Sequence, residues 1–512
     1  MVVRNLFRRQ PPKVPTDRII PLRYWDDLEY IRSICHDFTF RIDDVLDVRK
    51  LEAALHRLME IGSWGQLGAR LRMRSDGRLE YHLPERYTEK RPAFIFTTAK
   101  HDIEIAEHPI GSQLPKENYD QSFLSPPGRF FQSLVCHRDS PKELADWIYT
   151  DRPQLHIHIV SFRDTTLITT SYIHTLFDAI SRSSFWKAWS AVLRGCEDEV
   201  PPMVPFNQDP LRTLGKDYSK ERYHNFGLLL SGLNLVLFGV RYMLELLFSQ
   251  GVVDHTIRVP GEYVAHMRAE ARQELAQGVS KKAKEAPFIS EGDVVISWWM
   301  RTMIRALRPS PERPILLMNV FNVWNLFPEW FPPGGAGFIG NSFFYSYSLL
   351  SSNKVIHDNS LAYTASKTRQ SLMEHRTREQ VQAMTAIQRG AYKRTAPVIG
   401  RTNNFFMACT NQQMSGSFNA DFSGAVVRPG IPLAERAHQL GQPSYINDIE
   451  NARGYPTRNV VRILGKDAAG DWWLLFKTRK AAWSEIHRQL MAAYDEDELV
   501  VATGEVVSTC KE

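Results

Sequence analysis

The hydrophobic and polar positions of this chain alternate with two periods, one typical of strands and the other typical of helices. Residues 155–162 alternate with a period of two, which predicts a strand with His156 and His158 together on a solvated face. A second strand is predicted over residues 165–172, and an amphipathic helix is predicted after Asp178. The buried stripe of that helix is formed by Phe185, Trp189 and Val192, spaced i, i+4 and i+7.

The same mixture of strands and helices occurs in both halves of the chain. In the first half, residues 44–62 predict a helix and residues 69–83 predict a hairpin whose turn includes Gly77. In the second half, a helix that opens with a capping box between Ser290 and Asp293 precedes three predicted strands. Those strands cover residues 315–324, 338–350 and 403–412. The pattern predicts an α/β (α+β) fold in each half.

A chain of 512 residues is longer than one hydrophobic core usually serves, so two domains are expected. A proline-rich break occupies residues 199–206, and the alternation of strands and helices resumes at residue 254. We therefore expect an N-terminal domain over residues 1–225, a linker helix over residues 226–253 and a C-terminal domain over residues 254–512.

Residues 226–248 are strongly apolar and carry one narrow polar stripe when they are drawn as a helix. The stripe consists of Ser231, Asn234, Arg241 and Glu245. The uncharged part, residues 225–240, is shorter than the roughly 20 residues that a helix needs to cross a bilayer. The pattern fits an interfacial or partner-facing helix, a buried crossover helix between the domains and, least well, a membrane span. We expect an amphipathic helix that does not span a membrane.

The composition is that of a globular protein, with 43% hydrophobic and 23% charged residues. The net charge of +6 is spread along the chain without a dense basic face, and no helix-turn-helix stands out, which argues against a nucleic-acid partner. The five cysteines lack metal-ligand or disulfide spacing, so we expect a reducing compartment, the cytoplasm, and no metal site. The basic, proline-rich N-terminus lacks the apolar core of a secretory signal.

The candidate chemistry lies at His174, which follows the second predicted strand and precedes Asp178 by four residues. Histidine is the side chain most readily poised to take a proton near neutral pH. Asp178 could raise the basicity of His174, fix its tautomer or hold the loop through other partners, and the spacing alone does not choose among these roles. Because H-x-x-x-D also arises by chance in many chains of this length, the motif by itself is weak evidence for catalysis.

The surroundings of His174 resemble those of the BAHD acyltransferase superfamily, the acyl-CoA-dependent H-x-x-x-D enzymes, and especially its fungal secondary-metabolism branch. In both, a strand leads to H-x-x-x-D, a small residue and an aromatic-rich helix. The sequence IIPLRYWDD near the N-terminus resembles the family's opening strand, and F-I-G-N at residues 338–341 resembles its G-N strand. A-D-F-S-G at residues 420–424 stands where the family carries D-F-G-W-G, with Ser423 in place of a glycine.

The resemblance implies two similar chloramphenicol-acetyltransferase-like domains with a solvent channel between them. Acyl-CoA, above all acetyl-CoA, would enter from one face and the acceptor from the other. His174 would act as the general base and pass the acceptor's proton to the leaving thiol. Asp178 would point away from the channel and hold the loop. The strand that often carries an arginine in the family has none here, so a cationic partner for Asp178 would have to come from Arg301 or Arg305.

The resemblance also assigns residues beyond the motif. Thr410 and Asn411 stand where related enzymes present a Thr-Ser pair, so we expect coenzyme A to bind near them, with Ser417 as a further candidate. A strand-end polar cluster that satisfies its own backbone is the alternative interpretation of these residues. The residues of the two structural motifs are Gly340, Asn341, Asp421, Phe422 and Gly424.

We therefore expect an O-acyltransferase, more specifically an O-acetyltransferase, that acylates a hydroxyl of an apolar terpenoid or polyketide. One group of aromatic residues would suit an apolar acceptor and would equally suit the hydrophobic core. These residues are Trp324, Phe327, Trp330 and Phe331. One alternative is a condensation-type enzyme that uses a carrier-protein thioester, which Ile173 in the place of a second histidine disfavours. Another is a non-acylating homologue that binds a hydrophobic metabolite. We expect a cytoplasmic monomer, peripheral to the endoplasmic reticulum membrane if residues 226–248 contact a bilayer.

Overall fold

Strands and helices alternate along the whole chain in a mixed α/β architecture. The computed structural model describes residues 8–116, 125–248, 251–278, 287–452 and 457–492. The strands are β1 (Arg18–Pro21), β2 (Ile34–Ile42), β3 (Asp44–Leu46), β4 (Arg70–Met73), β5 (Leu79–Leu83), β6 (Ile95–Lys100), β7 (His156–Ser161), β8 (Thr166–Ile173), β9 (Val252–Val259), β10 (Pro314–Asn322), β11 (Phe343–Ser351), β12 (Phe405–Asn411), β13 (Val426–Pro429), β14 (Tyr445–Ala452), β15 (Val460–Lys466) and β16 (Trp472–Arg479). The helices are α1 (Glu29–Arg32), α2 (Val48–Glu60), α3 (Gln132–Val135), α4 (Leu144–Ile148), α5 (Ala179–Leu193), α6 (Gly232–Leu247), α7 (Gly261–Gln277), α8 (Glu291–Leu307), α9 (Ser352–His357), α10 (Ala362–His375) and α11 (Arg378–Gly390).

The first large sheet has the strand order β14-β2-β8-β7-β6, with only β6 and β7 parallel among its neighbouring strands. Strand β14 comes from the second half of the chain and pairs along the whole of β2. Helix α5 covers one face of this sheet. There, the ring centroid of Trp186 lies 4.8 Å from that of Phe38 and 4.4 Å from that of Phe40. This sheet carries His174 just beyond the end of β8, which places the candidate base at the edge of a rigid layer.

The second large sheet has the strand order β11-β10-β12-β15-β16-β9. Strands β10, β12 and β15 are parallel, and the outer strands are antiparallel to their neighbours. Helices α7 and α8 bury apolar side chains on one face, Trp299 and Phe476 among them. On the other face, Trp25 from the first half of the chain meets Phe344 of β11 edge to face, at 5.5 Å. The two halves of the chain are therefore packed together, while the domain boundaries at residues 225 and 254 stay a prediction.

The capping box predicted between Ser290 and Asp293 is confirmed, and α2 has a side-chain cap as well. Asp47 caps α2 by accepting hydrogen bonds from the backbone of Arg49 and Lys50. Ser290 caps α8, and its own backbone N–H donates to Asp293 Oδ2 at 2.7 Å, which completes the capping box. Both helices begin at these residues because the caps satisfy N–H groups that a helix leaves unpaired in its first turn.

The predicted solvated face of β7 is wrong, because both of its histidines are buried. Thr97 of β6 stands opposite His158, and its hydroxyl lies 3.0 Å from His156 Nε2 and 2.8 Å from His158 Nδ1. The neighbouring parallel strand thus supplies a polar partner that sequence alternation alone does not show. No group of metal-ligating side chains that could hold an ion occurs in the described part of the chain.

Two predicted elements start later than the sequence suggested. The strand expected from residue 338 begins at Phe343, and the F-I-G-N segment before it is a loop. The helix expected from residue 226 begins at Gly232, because the chain before it pairs with residues 398–400 through Leu229 and Leu230. In the described ranges, no helix is long and apolar enough to cross a bilayer.

Candidate active site

His174 sits in a tight loop between β8 and α5 that is held on both sides by backbone hydrogen bonds. Its N–H donates to the carbonyl of Ile34 on β2 at 2.9 Å. Its carbonyl accepts a hydrogen bond from Asn341 Nδ2 at 3.0 Å. The imidazole lies between His36 and Phe343, with ring centroids 5.5 and 5.8 Å away. The loop therefore presents one fixed histidine where the two halves of the chain meet.

Burial lowers the pKa of His174 to about 4, and a positive charge on His36 acts in the same direction. The carbonyl of His174 itself and the carboxylate of Glu450 oppose that change, but they are the smaller effects. His174 Nδ1 is buried and forms no hydrogen bond with another residue of the described chain. The imidazole is consequently neutral at ordinary pH, with Nε2 left as the nitrogen that can meet a substrate.

Asp178 does not pair with His174; its oxygens serve two backbone segments. Oδ1 accepts hydrogen bonds from the N–H groups of Ile180 (3.1 Å) and Ser181 (2.8 Å), so Asp178 is the N-cap of α5. Oδ2 accepts from both the N–H and the hydroxyl of Ser342, at 3.0 and 3.1 Å. Burial raises the pKa of Asp178, and these hydrogen bonds oppose that rise. Asp178 thus joins the start of α5 to the loop before β11.

The prediction that Arg301 or Arg305 is a cationic partner of Asp178 is wrong. Arg301 donates to the carbonyls of Asp358 and Asn359, and Arg305 donates to the carbonyl of Ile356. Hydrogen bonds from Ser342 and from the first turn of α5 serve Asp178 instead.

Gly340 and Asn341 connect the loop of His174 to the N-terminal segment of the chain. Asn341 donates to Asp26 Oδ1 from its backbone N–H (2.7 Å) and from its side-chain amide (2.9 Å), and the same amide reaches the carbonyl of His174. Gly340 adopts φ of +149°, and a Cβ there would lie 2.9 Å from Arg23 and from Asp26. A glycine is required at this position because a larger residue would displace Arg23 and Asp26, and Asp26 is the residue that Asn341 contacts.

The A-D-F-S-G loop lies at the far end of α5. Asp421 accepts a hydrogen bond from Ser423 N–H at 2.9 Å and forms an ion pair with Arg194 at 3.3 Å. Phe422 is buried against Trp189, with ring centroids 5.4 Å apart. A Cβ on Gly424 would overlap the carbonyl oxygen of Leu193, the last residue of α5. The loop therefore supports α5 at its C-terminal end, while Asp178 supports its N-terminal end.

A cavity of about 490 Å³ opens in front of His174. Its walls come from the first turns of α5, the start of α8, the ends of β10 and β12, and α10. Thr410 and Asn411 line the cavity, and Trp324 is the one residue of the predicted aromatic group that does so. Phe327 and Phe331 are buried in the core, and Trp330 stacks on Phe327 at 4.4 Å.

Ser417 does not line the cavity. It lies behind Ser415, whose hydroxyl it meets at 2.8 Å, and Ser415 is the residue on the cavity wall. Asn411 uses its Oδ1 to accept a hydrogen bond from the N–H of Gln413 at 3.0 Å, so its amide nitrogen stays available. Of the three predicted coenzyme A residues, two face the open space and one supports the wall.

Three basic side chains that the sequence does not predict as site residues also line the cavity. They are Lys187, Arg369 and Arg376. Arg369 is neutralised by Asp293, at 2.5 Å, and also donates to Ser290. Lys187 and Arg376 form no ion pair within the described ranges of the chain. Two unpaired cations at the rim of a cavity favour an anionic ligand there. No sequence signal marked them, because the surface of a helix commonly carries such residues.

A buried ionic network of His36, Asp448 and Arg462 lies behind His174, and the sequence does not predict it. His36 Nδ1 lies 2.9 Å from Asp448 Oδ1, and Arg462 contacts the other oxygen of Asp448 at 2.7 Å. Burial alone would raise the pKa of Asp448, but Arg462 and His36 hold it below its usual value. His36 also stacks on Tyr172 at 5.4 Å. The sequence near His36 does not indicate this network, because Asp448 and Arg462 lie more than 400 residues away.

Comparison with known proteins identifies the family. No family model matches the chain. Acetyltransferase sphE of Aspergillus fumigatus is 36% identical over 500 residues, with 94% of this chain and 96% of that protein covered. O-acyltransferase pboC of Aspergillus ustus is 34% identical over 456 residues, covering 88% and 94%. Transcriptional regulator calD of Penicillium decumbens is 34% identical over 493 residues, covering 95% and 98%.

Solved structures share the fold at low sequence identity. F. sporotrichioides TRI101, complexed with coenzyme A and T-2, has a TM-score of 0.64 at 14% identity, over 92% of this chain and 97% of that one. Vinorine synthase has a TM-score of 0.53 at 14% identity, over 95% and 96%. The predicted mixed α/β acyltransferase fold is thereby confirmed. With relatives at this identity covering nearly its whole length, the chain belongs to the fungal BAHD-type acyltransferases.

Proposed function

We propose that this acyltransferase moves an acyl group, and specifically an acetyl group, from acyl-CoA to a hydroxyl of an apolar secondary metabolite of the terpenoid or polyketide class. The observation that carries the proposal is a neutral, fixed His174 at the wall of a cavity that also presents unpaired cations. The named acetyltransferase and O-acyltransferase relatives support the reaction class.

In the proposed reaction, His174 Nε2 takes the proton of the acceptor hydroxyl while the hydroxyl oxygen attacks the thioester carbonyl. The tetrahedral intermediate then collapses, the C–S bond breaks, and the imidazolium returns the proton to the coenzyme A thiolate. Holding both substrates in one cavity supplies much of the rate, because a bimolecular reaction becomes effectively unimolecular. Asp178 takes no part in proton transfer and keeps the loop in place.

Coenzyme A is proposed to lie along the wall formed by α5, α10 and the end of β12. Its phosphates suit Lys187 and Arg376, and its pantetheine amides suit the free polar groups of Thr410 and Asn411. Solved structures with this fold contain coenzyme A, and one of them also holds T-2 mycotoxin, which supports a two-substrate cavity. Trp324 and Phe321 give the opposite wall an apolar surface for the acceptor.

The decisive experiment incubates the full chain with acetyl-CoA and a panel of apolar alcohols, and follows free thiol release and product mass. We expect acetylated product with the wild-type chain, and a loss of roughly 10²- to 10⁴-fold for His174→Ala, typical of a missing general base. His357→Ala, which changes an exposed histidine, is the matched control and should keep wild-type turnover.

Three results would contradict the proposal. Near-normal turnover by His174→Ala would exclude the histidine as the base. Transfer from a carrier-protein thioester, with none from acyl-CoA, would assign the chain to the condensation-type alternative. A chain that binds the alcohols tightly and transfers no acyl group would instead match a regulatory binding protein, a class represented by name among its relatives.

A further inference from the structure

Helix α6 turns Tyr242, Glu245 and Leu246 toward the protein and a broad apolar face toward solvent. Glu245 is held by three arginines that lie at the ends of strands of the second sheet. These are Arg313, Arg458 and Arg479. On the same stripe, Arg241 donates to the hydroxyl of Thr402 at 2.8 Å. The ionic contacts therefore fix which side of the helix faces inward, and the opposite side stays uncovered.

The outward side of α6 is a continuous apolar surface, here called the α6 face. Its residues are Leu233, Val236, Val240, Met243, Leu244 and Leu247. They lie within about 100 degrees of one another around the helix axis, and no polar residue falls in that arc. Each is between 45% and 74% exposed, and Phe248 at the end of the helix is 83% exposed. Single exposed apolar residues are common, but a contiguous set of this kind marks a binding surface.

The charge around the α6 face favours one kind of partner. Arg401 and Lys480 are exposed on segments whose neighbouring backbone contacts the residues flanking the helix. With Arg241 and the three arginines on Glu245, they give this end of the molecule a clear excess of positive charge. Two copies of such a surface would repel each other, whereas the phosphates of a lipid headgroup layer would be attracted.

We propose that the α6 face docks the protein onto the surface of a phospholipid bilayer. A helix of 16 residues is about 24 Å long and too short to cross the hydrocarbon core of about 30 Å, so it would lie in the plane of the interface. Its leucines, Val236 and Met243 enter the boundary between headgroups and acyl chains. The exposed basic residues around the helix, Arg241, Arg401 and Lys480, would lie at the level of the phosphates.

The docking surface and the cavity are at opposite ends of the second sheet. Helix α6 contacts the starts of β10 and β12, through Arg313 and through Tyr242, whose ring lies 6.1 Å from that of Phe406. The cavity lies at the ends of the same strands, where Thr410 and Asn411 are found. Strand β12 is seven residues long, so its two ends lie about 20 Å apart. Docking would therefore leave the cavity open, and this inference does not depend on the proposed reaction.

The test measures how the full chain partitions onto extruded vesicles of phosphatidylcholine, with and without phosphatidylserine at about one lipid in four. We expect binding to both, and tighter binding when the anionic lipid is present. The double variant Leu233→Gln/Leu247→Gln removes apolar area without changing charge, and its partition coefficient should fall roughly 10- to 100-fold on both vesicles. Arg401→Gln should weaken binding only to the anionic vesicles.

The matched control is Ile19→Gln/Val427→Gln, which changes two comparably exposed apolar residues on other surfaces and should bind vesicles like the wild-type chain. Thiol release with a water-soluble acceptor should be unchanged in every variant. The proposal is overturned if the wild-type chain binds neither vesicle, or if L233Q/L247Q binds as well as the wild type. It is also overturned if the chain is a dimer that L233Q/L247Q dissociates, because a second copy would then cover the α6 face.

Discussion

At the scale of single residues, the low pKa of His174 has a measurable consequence for turnover. Because burial and the charge of His36 bring the pKa to about 4, the imidazole is already neutral over the physiological range. We expect kcat/KM to be flat near neutral pH and to fall only as the pH drops through about 4, since that ratio reports the free enzyme. An acid limb near 6.5, the usual histidine value, would contradict a buried base.

The charge of His36 can be tested separately through the same pH profile. His36→Gln removes a positive charge that disfavours protonation of His174, so the pKa of His174 should rise and the acid limb should move to higher pH. His158→Gln, a buried histidine on the same sheet but in a different cluster, serves as the control and should leave the limb where it is. An unchanged limb in His36→Gln would mean that burial alone sets the pKa of His174.

The sequence predicts His174 and Asp178 as site residues but gives no indication of His36, and the reason is physical. The two motif residues are local, and their neighbours along the chain carry the family pattern. His36 approaches His174 only because β2 pairs with β8 in a register that sets Cys35 opposite Ile173. A pairing between strands 130 residues apart leaves no signal in the spacing of either strand.

At the scale of elements, α5 is supported at both ends, and each support can be removed. Asp178→Ala deletes the N-cap and leaves the buried N–H of Ser342 without its acceptor, so the free energy of unfolding should fall by about 2–3 kcal/mol. Asp178→Asn keeps one acceptor oxygen and should lose less. Urea unfolding gives both values, and equal losses would mean that the carboxylate serves only one of its two partners.

At the other end of α5, Gly424→Ala should destabilise the chain because the added methyl group overlaps the carbonyl of Leu193. We expect a loss of about 1–3 kcal/mol with little change in the KM for acyl-CoA, since the loop lies away from the cavity. Gly390→Ala is the matched control, because a Cβ at that position meets no atom within 4 Å. If both substitutions have the same small effect, the A-D-F-S-G loop does not brace α5.

The orientation of α6 illustrates what an element's pattern leaves open. The helical wheel predicts a narrow polar stripe on a helix, and the structure shows the helix over Gly232–Leu247. The wheel cannot say which side faces the protein, because a polar stripe usually faces water. Here Glu245 meets three arginines supplied by the ends of β10, β15 and β16, and these non-local charges turn that residue toward the protein. The other stripe residues, Ser231, Asn234 and Arg241, stay exposed.

At the scale of the whole molecule, the mixed α/β architecture follows from the sequence pattern, but the connection between the halves does not. Strand β14 belongs by sequence to the second half and completes the first sheet by pairing with β2. It carries Asp448 and thereby brings the ionic partner of His36 to the site. Which strand crosses over depends on three-dimensional packing, so neither periodicity nor composition predicts it.

The buried histidines make the stability of the whole molecule depend on pH in a defined direction. Burial lowers the pKa of His156 to about 3, and those of His158 and His174 to about 4, from 6.5 in the unfolded chain. The folded state therefore binds fewer protons, so this contribution to stability is present above pH 6.5 and is lost as the pH falls toward 4. Each histidine adds a slope of up to about 1.4 kcal/mol per pH unit.

The pKa of Glu450 is lowered to about 2 in the folded protein. Its carboxylate therefore also stabilises the fold, and this stability is lost as the pH falls below the pKa of the unfolded chain. We expect the urea midpoint to decrease steadily between about pH 7 and about pH 5, where the histidines dominate. His156→Gln should flatten that decrease, because a neutral amide replaces one group that protonates only on unfolding. A midpoint that is constant over this range would mean that His174 and the histidines of β7 are protonated in the folded protein, which would also remove the neutral base from the proposed reaction.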